Sequence, residues 1–246
     1  MNEKIEILGV RFDSLDRAEL LAELNSMLEH GEQGYLVTPN PEILQCAHKD
    51  TELRDVLNRA SLCIADGVGV IWAAKMLKKP LKARIPGVEI GEQMLSLCAR
   101  EGRGVFFLGG AEGVADAAAE RMMEVHPGLS VSGTHHGYFD KDDNDRIVGM
   151  INDSGAEVLF VCMGFPYQEK WIAANLGRMP SVRLAFALGG SLDVYAGRVK
   201  RAPRAFCAIG LEWLWRAFSS WSHFRRALKL PLYIIRVLKV RFFGSK

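Results

Sequence analysis

The sequence predicts an α/β fold, a mainly parallel sheet with helices on both faces, and three observations carry that prediction. Short runs that are almost wholly apolar, such as Tyr35-Leu36-Val37, Val105-Phe106-Phe107-Leu108, Val158-Leu159-Phe160-Val161-Cys162 and Leu184-Ala185-Phe186-Ala187-Leu188, alternate with longer stretches of helical periodicity. Continuous rather than alternating apolarity marks strands covered on both faces, the condition of a parallel sheet. Five apolar runs end in turn or glycine signals: Thr38-Pro39-Asn40, Asp66-Gly67, Gly109-Gly110, Gly164-Phe165-Pro166 and Gly189-Gly190.

In chain order, Ile5 to Val10 reads as a short strand and Asp16 to His30 as an amphipathic helix with Leu20, Leu21, Leu24, Met27 and Leu28 on one side. Gly34 to Thr38 is a strand. Pro41 suits the first turn of the next helix, Glu42 to His48, and Thr51 to Arg59 is helical again. Leu62 to Ala65 is a strand that delivers Asp66 into a glycine turn, followed by a helical pattern through Ile71, Trp72, Ala74 and Leu77. A basic loop, Lys78 to Pro86, precedes a helix from about Glu89 to Arg100. The second half repeats the alternation: strand 104–108, an Ala-rich helix to Met123, strand 129–133, helix 144–152, strand 158–163, helix 168–176 and strand 184–188.

The 246 residues suffice for a sizeable core, and 49% hydrophobic with 24% charged residues is ordinary for a globular chain. The opening residues show no basic segment followed by an apolar one, so no signal peptide is expected, and without a run of 18 uncharged apolar residues no spanning helix is expected. Cys46, Cys63, Cys98, Cys162 and Cys207 are widely spaced in apolar surroundings and lack metal-ligand spacing, so they read as buried thiols in a reducing, cytoplasmic setting. The net charge of +2 conceals an asymmetry. From Arg198 onward twelve Lys/Arg face Glu212 alone, giving +11 and leaving −9 for residues 1–197. The chain therefore divides into an α/β core, 1–197, and a basic appendage, 198–246.

Strand ends on one edge of a parallel sheet converge, and helix N-termini there offer N–H groups to phosphate. Five such ends favour a nucleotide or nucleotide-sugar. The dinucleotide fingerprint and the Walker sequence are both absent. Asp140 to Asp145 reads as a solvated helix start, and His135-His136 as a loop feature without a third ligand, so no metal site is expected. Taken alone, Asp66 is most simply a cap for the helix that follows it; the convergence of strand ends makes it a candidate site residue.

Several motifs together resemble the WecG/TagA/CpsF family of bacterial glycosyltransferases. They are Thr38-x-Asn40-x-Glu42, Ala65-Asp66-Gly67-x-Gly69-Val70, Arg84-x-x-Gly87, Gly137-Tyr138-Phe139, Gly164-x-Pro166-x-Gln168-Glu169-x-Trp171-Ile172, Gly189-Gly190-x-x-Asp193-x-x-Ala196-Gly197, Arg201-Ala202-Pro203 and Gly210-Leu211-Glu212-Trp213-Leu214-x-Arg216. The resemblance spans nearly the whole chain. It departs from the family in the tail, where Trp221 to Ala227 replaces the usual Pro-Arg pair and Tyr.

The resemblance implies a Rossmann-like core with a C-terminal appendage. It implies inverting, metal-independent and cofactor-free transfer of N-acetylmannosamine, or its uronic acid, from UDP to a polyprenyl-diphosphate-linked N-acetylglucosamine. Such transfer builds teichoic-acid linkage units or surface polysaccharides at the inner face of the cell membrane. Asp66 is then the base, with Thr38 and Asn40 beside it. Arg84 and the tail arginines Arg216, Arg225 and Arg226 take the acceptor diphosphate. Gln168 belongs to the nucleotide pocket. The convergence of strand ends, apart from the resemblance, makes Gly109, Gly110, Gly164, Gly189 and Gly190 candidates for nucleotide-sugar binding, and Asp193 could bind sugar hydroxyls or cap a helix.

Between Phe206 and Phe243 lie nine of the chain's twenty-two Phe, Trp and Tyr residues, interleaved with Arg216, Arg225, Arg226, Lys229, Arg236, Lys239 and Arg241. Such segments lie in the interface of anionic bilayers, and Pro231 should separate two of them. With a lipid-linked acceptor implied, a membrane surface is the expected partner rather than nucleic acid; a homo-oligomer stays open. Two alternatives remain at this stage: a nicotinamide oxidoreductase on a similar fold, which dinucleotide rather than UDP would stabilise, and a non-enzymatic membrane- or nucleic-acid-binding module.

Overall fold

The computed structural model describes residues 3–199 and 230–244. Its centre is a six-stranded, all-parallel sheet in the order β4-β3-β8-β7-β5-β6. These strands are β3 (Gly34–Val37), β4 (Leu62–Cys63), β5 (Gly104–Gly109), β6 (Ser130–His135), β7 (Val158–Cys162) and β8 (Leu184–Ala187). The four central ones are buried almost throughout, as continuous apolar runs require. Phe107, Phe160 and Phe186 share one register across β5, β7 and β8. Their rings meet at 5.4 Å edge-to-face and 5.3 Å stacked, each pair adding about 0.5–1.5 kcal/mol beyond burial.

The helices divide between two apolar layers. One face of the sheet carries α2 (Pro41–Lys49), α3 (Thr51–Arg59), α4 (Val68–Met76), α7 (Asn144–Ser154) and α8 (Tyr167–Asn175), packed on Tyr35, Val37, Leu159 and Val161. The other carries α1 (Arg17–Glu29), α5 (Gly87–Glu101), α6 (Val114–Val125) and α9 (Ser191–Tyr195), packed on Leu36, Phe107, Phe160 and Phe186. The α2 that follows β3 and the α8 that follows β7 thus lie on one face, whereas the α9 that follows β8, the strand between them, lies on the other. Neighbouring strands whose connections diverge leave a crevice at their carboxyl ends.

The expected single strand over Ile5 to Val10 is instead a hairpin, β1 (Lys4–Ile7) and β2 (Val10–Asp13). Leu8 and Gly9 turn it with φ of 52° and 85°. Asp13, buried, accepts from the Cys63 amide at 2.9 Å and pairs with Lys4, which ties the hairpin to β4. Cys63, Cys98 and Cys162 are buried free thiols, and burial pushes the last two up to about 12.

The last described helix, α10 (Leu230–Phe243), begins with Pro231 in its first turn and packs against α2 and α4. Tyr233 and Val237 are fully buried there, and the Tyr233 hydroxyl donates to the Gly69 carbonyl at 3.2 Å. The opposite side of α10 presents Leu232, Ile235, Lys239 and Phe242 outward. No helix among the described residues is long and apolar enough to cross a membrane.

Candidate active site at the carboxyl edge of the sheet

Because the sheet is parallel, Thr38, Asp66, Gly109-Gly110, Gly164 and Gly189-Gly190 all leave it on one edge. Asp66, half-buried, does not cap α4: the N-cap of that helix is Gly67, with no side-chain cap bond. Its Oδ1 instead receives the Gly87 amide at 3.4 Å, and Gly87 is the first residue of the fifteen-residue α5. The carboxylate therefore faces the N-terminal end of a helix remote in sequence, where backbone N–H groups point toward it. The loop before α5 is tied to the same spot, since the Ile85 amide donates to the Ala65 carbonyl at 2.9 Å. Arg84, half-buried, directly precedes that bond.

Gly87 also touches Thr38. A Cβ at position 87 would lie 3.2 Å from both Thr38 Oγ1 and Leu188 Cδ2, so glycine here lets α5 start against β3 and β8. Thr38 is buried and its hydroxyl donates to the Ala187 carbonyl at 3.3 Å. Asn40 is the N-cap of α2: its Oδ1 accepts from the Glu42 and Ile43 amides at 2.9 and 3.1 Å, which fixes the side-chain carboxamide in place. The α2 and α4 turns abut so closely that a Cβ at Gly69 would stand 2.6 Å from Pro41 Cγ. Thr38, Asn40 and Asp66 thus share a neighbourhood, joined through Gly87 and the Pro41–Gly69 contact.

Across the crevice, Gln168 in the first turn of α8 is buried. Its Oε1 accepts from the amides of Gly164 (3.2 Å) and Gly189 (3.0 Å), holding the exits of β7 and β8 together. The exits of β5, β7 and β6 are linked in turn: Gly110 donates to the Cys162 carbonyl at 3.1 Å, and Gly137 to the Gly110 carbonyl at 2.8 Å. Asp193 stands half-buried in the first turn of α9, and its carbonyl accepts from the amides of Arg198 and Val199. Arg216, Arg225 and Arg226 lie outside the described residues. His135 Nδ1 lies 2.8 Å from the His136 carbonyl, and the Tyr138 amide donates to His136 Nδ1 at 3.2 Å, so both rings serve the loop. Among the described residues, no group of three His, Cys, Asp or Glu is arranged to hold a metal.

Comparison with known proteins now decides the class. Residues 5–246 match the glycosyl transferase WecG/TagA/CpsF family. The chain belongs to that family. Two relatives from Staphylococcus aureus, strains MRSA252 and MW2, are each 34% identical over 240 residues, covering 97% of this chain and 93% of theirs. Both bear the name N-acetylglucosaminyldiphosphoundecaprenol N-acetyl-beta-D-mannosaminyltransferase. This WecG/TagA/CpsF member is accordingly a glycosyltransferase, which replaces the oxidoreductase and binding-module alternatives. Its fold agrees with the Rossmann-like expectation, and α10 supplies a helical C-terminal element.

Three residues gain importance that their sequence positions did not convey. Gly87 stood only at the end of Arg84-x-x-Gly87, although the Pro86-Gly87 pair before a helical pattern is a helix-start signal. Glu169 reads as an acid favouring a helix N-terminus, yet it is 1% exposed. Tyr233 is one aromatic among nine in the tail, and nothing in the local pattern singles it out.

Proposed function

We propose that the protein is an inverting transferase that moves N-acetylmannosamine, or its uronic acid, from UDP to the N-acetylglucosamine of a polyprenyl-diphosphate acceptor. The names of the S. aureus relatives support the sugar and the acceptor, and family membership supports UDP as the donor carrier. The observation that carries the mechanism is that Asp66 is held by the start of α5 rather than used by its own helix.

In a single displacement, Asp66 takes the acceptor hydroxyl proton as that oxygen bonds to the anomeric carbon. The bond to UDP breaks on the opposite face, which inverts the configuration. A positioned carboxylate contributes roughly 10²–10⁴-fold by such proton transfer. Thr38 and Asn40, beside Asp66, orient the sugar or the attacking hydroxyl. Charge on departing UDP is stabilised by backbone N–H groups and helix starts at the crevice between β7, β8 and β3, with Asp193 available for sugar hydroxyls. No metal or other cofactor takes part in this reading. Arg84, with Arg216, Arg225 and Arg226 of the tail, neutralises the acceptor diphosphate.

The division into a core, 1–197, and an appendage, 198–246, follows this use. The appendage docks on the anionic inner face of the cell membrane, where the lipid acceptor resides, and the product feeds teichoic-acid or surface-polysaccharide synthesis. The outward apolar and basic residues of α10 support such docking. A panel of UDP-sugars with a short-chain lipid-diphosphate N-acetylglucosamine acceptor tests the reading. Transfer is expected from UDP-N-acetylmannosamine or its uronic acid, with UDP and a new disaccharide as products. Transfer from neither would overturn it.

A further inference from the structure

The hydrogen-bond chain through Gln168 continues one step further. While Oε1 of Gln168 receives two amides, Nε2 donates to Glu169 Oε1 at 2.9 Å. Both ends of this buried carboxamide are thus occupied, and its orientation matters. Turned by 180°, it would set its NH₂ against the N–H groups of Gly164 and Gly189 and its oxygen against the Glu169 carboxyl. With the Glu169 carboxyl ionised, every contact would then be donor to donor or acceptor to acceptor; with it protonated, both glycine contacts would still be donor to donor.

Among the described residues, Glu169 is the only hydrogen-bond partner of the Nε2 side, and its burial is otherwise costly. The side chain is almost completely enclosed, and its Oε2 lacks a hydrogen-bond partner among the described residues. Burial raises the affinity of this carboxyl for its proton, partly offset by the hydrogen bonds from Gln168 and from its own backbone. A buried carboxyl with an unsatisfied oxygen is poor for stability. An apolar side chain of the same size would pack there without that cost, yet it would leave Nε2 unpaired.

We propose that Glu169 is a positioning residue for the donor site: it fixes the Gln168 carboxamide so that its oxygen clamps the Gly164 and Gly189 turns in the geometry that receives the nucleotide. This inference rests on the reading that the crevice beyond β7 and β8 takes UDP. Glu169 itself touches no reacting atom.

The test compares four variants with the wild type for UDP binding by calorimetry and for steady-state transfer. Glu169→Met keeps the volume but removes the acceptor. UDP binding should weaken about tenfold, the scale of one net hydrogen bond. The loss should appear in KM for the donor, with kcat changed by no more than roughly threefold. Glu169→Gln retains an acceptor oxygen and should bind UDP within about threefold of wild type. Gln168→Glu sets two carboxyl groups against each other and should bind worse than Glu169→Met.

The decisive variant is the exchange Gln168→Glu with Glu169→Gln, in which the amide of residue 169 donates to the carboxylate of residue 168. It rebuilds the chain with the same polarity toward both glycine amides, and should recover binding to within about threefold of wild type. A packing role follows volume and predicts neither the Glu169→Met defect nor this recovery. Should Glu169→Met fail to fold, the exchange variant decides alone. The inference falls if Glu169→Met binds UDP as wild type does, or if the exchange variant binds no better than Gln168→Glu. Failure of the wild-type protein to bind UDP would instead overturn the donor reading, and this inference with it.

Discussion

The amide of Gly87 lies 3.4 Å from the Oδ1 of Asp66, so the start of α5, twenty-one residues downstream, faces the carboxylate at the end of β4. The same Gly87 meets Thr38, which makes it the junction between the two strand ends. A methyl group at this position would press on the Thr38 and Leu188 side chains at 3.2 Å, so one of them must give by a few tenths of an ångström. Gly87→Ala should therefore lower kcat/KM for transfer about tenfold or more, at a stability cost of no more than about 1–3 kcal/mol. Activity and melting temperature both equal to wild type would show that the junction is looser than described.

Tyr233 fastens the tail helix to the turn after Asp66. Tyr233→Phe removes its hydrogen bond to Gly69 and should cost about 1 kcal/mol; Tyr233→Ala also empties a buried site and should cost about 3–5 kcal/mol. Limited trypsin digestion offers a direct check, since Arg236, Lys239 and Arg241 all lie in α10. Cleavage there should be faster in Tyr233→Ala than in the wild type, and equal rates would mean that Tyr233 does not hold the helix.

Glu169 makes stability depend on pH in a defined direction. Its affinity for the proton is higher in the folded chain than the ordinary carboxyl value of 4.5, with burial as the largest cause. The folded state therefore holds more protons than the unfolded one above that value. This contribution to stability is fully present below pH 4.5 and is lost as pH rises through the folded-state value. Relative to Glu169→Gln, which cannot titrate, the wild type should lose stability as pH rises above 4.5, as read from urea midpoints. Parallel midpoints across that range would contradict it.

Docking of α10 on membranes is tested without disturbing its buried face. Ile235→Glu with Phe242→Glu alters exposed positions only, so melting should stay within about 0.5 kcal/mol of wild type. Partition onto vesicles rich in phosphatidylglycerol should fall at least about tenfold, because two apolar anchors are lost and two negative charges gained. Unchanged partition would remove α10 from the membrane contact.

How much of this was legible in the sequence depends on how local the cause is. The apolar runs of β3, β5, β7 and β8 report burial on both faces, and those strands lie where the pattern predicts. The helix Thr51–Arg59 likewise follows its periodicity to the residue. The β1–β2 hairpin was missed because its turn places Leu8 at φ 52°, where Asn or Gly is the usual signal. The α5 start moved from Glu89 to Gly87 because Pro86-Gly87 serves as its first turn.

At the site, residue types were readable but their partners were not. Asp66 looks like a cap for α4 in sequence, and only the fold brings Gly87 to it. Gln168 bonds to Gly189, which lies on the neighbouring strand's exit and twenty-one positions away. No periodicity encodes such a pairing.

Asp66→Asn tests the central claim most directly, because it keeps the shape and the hydrogen bond from Gly87 while removing the base. Transfer to the lipid-diphosphate acceptor should fall by roughly 10²–10⁴-fold, while calorimetric binding of UDP stays within about threefold of wild type. Transfer at the wild-type rate by the Asp66→Asn protein would contradict the assignment of Asp66 as the base.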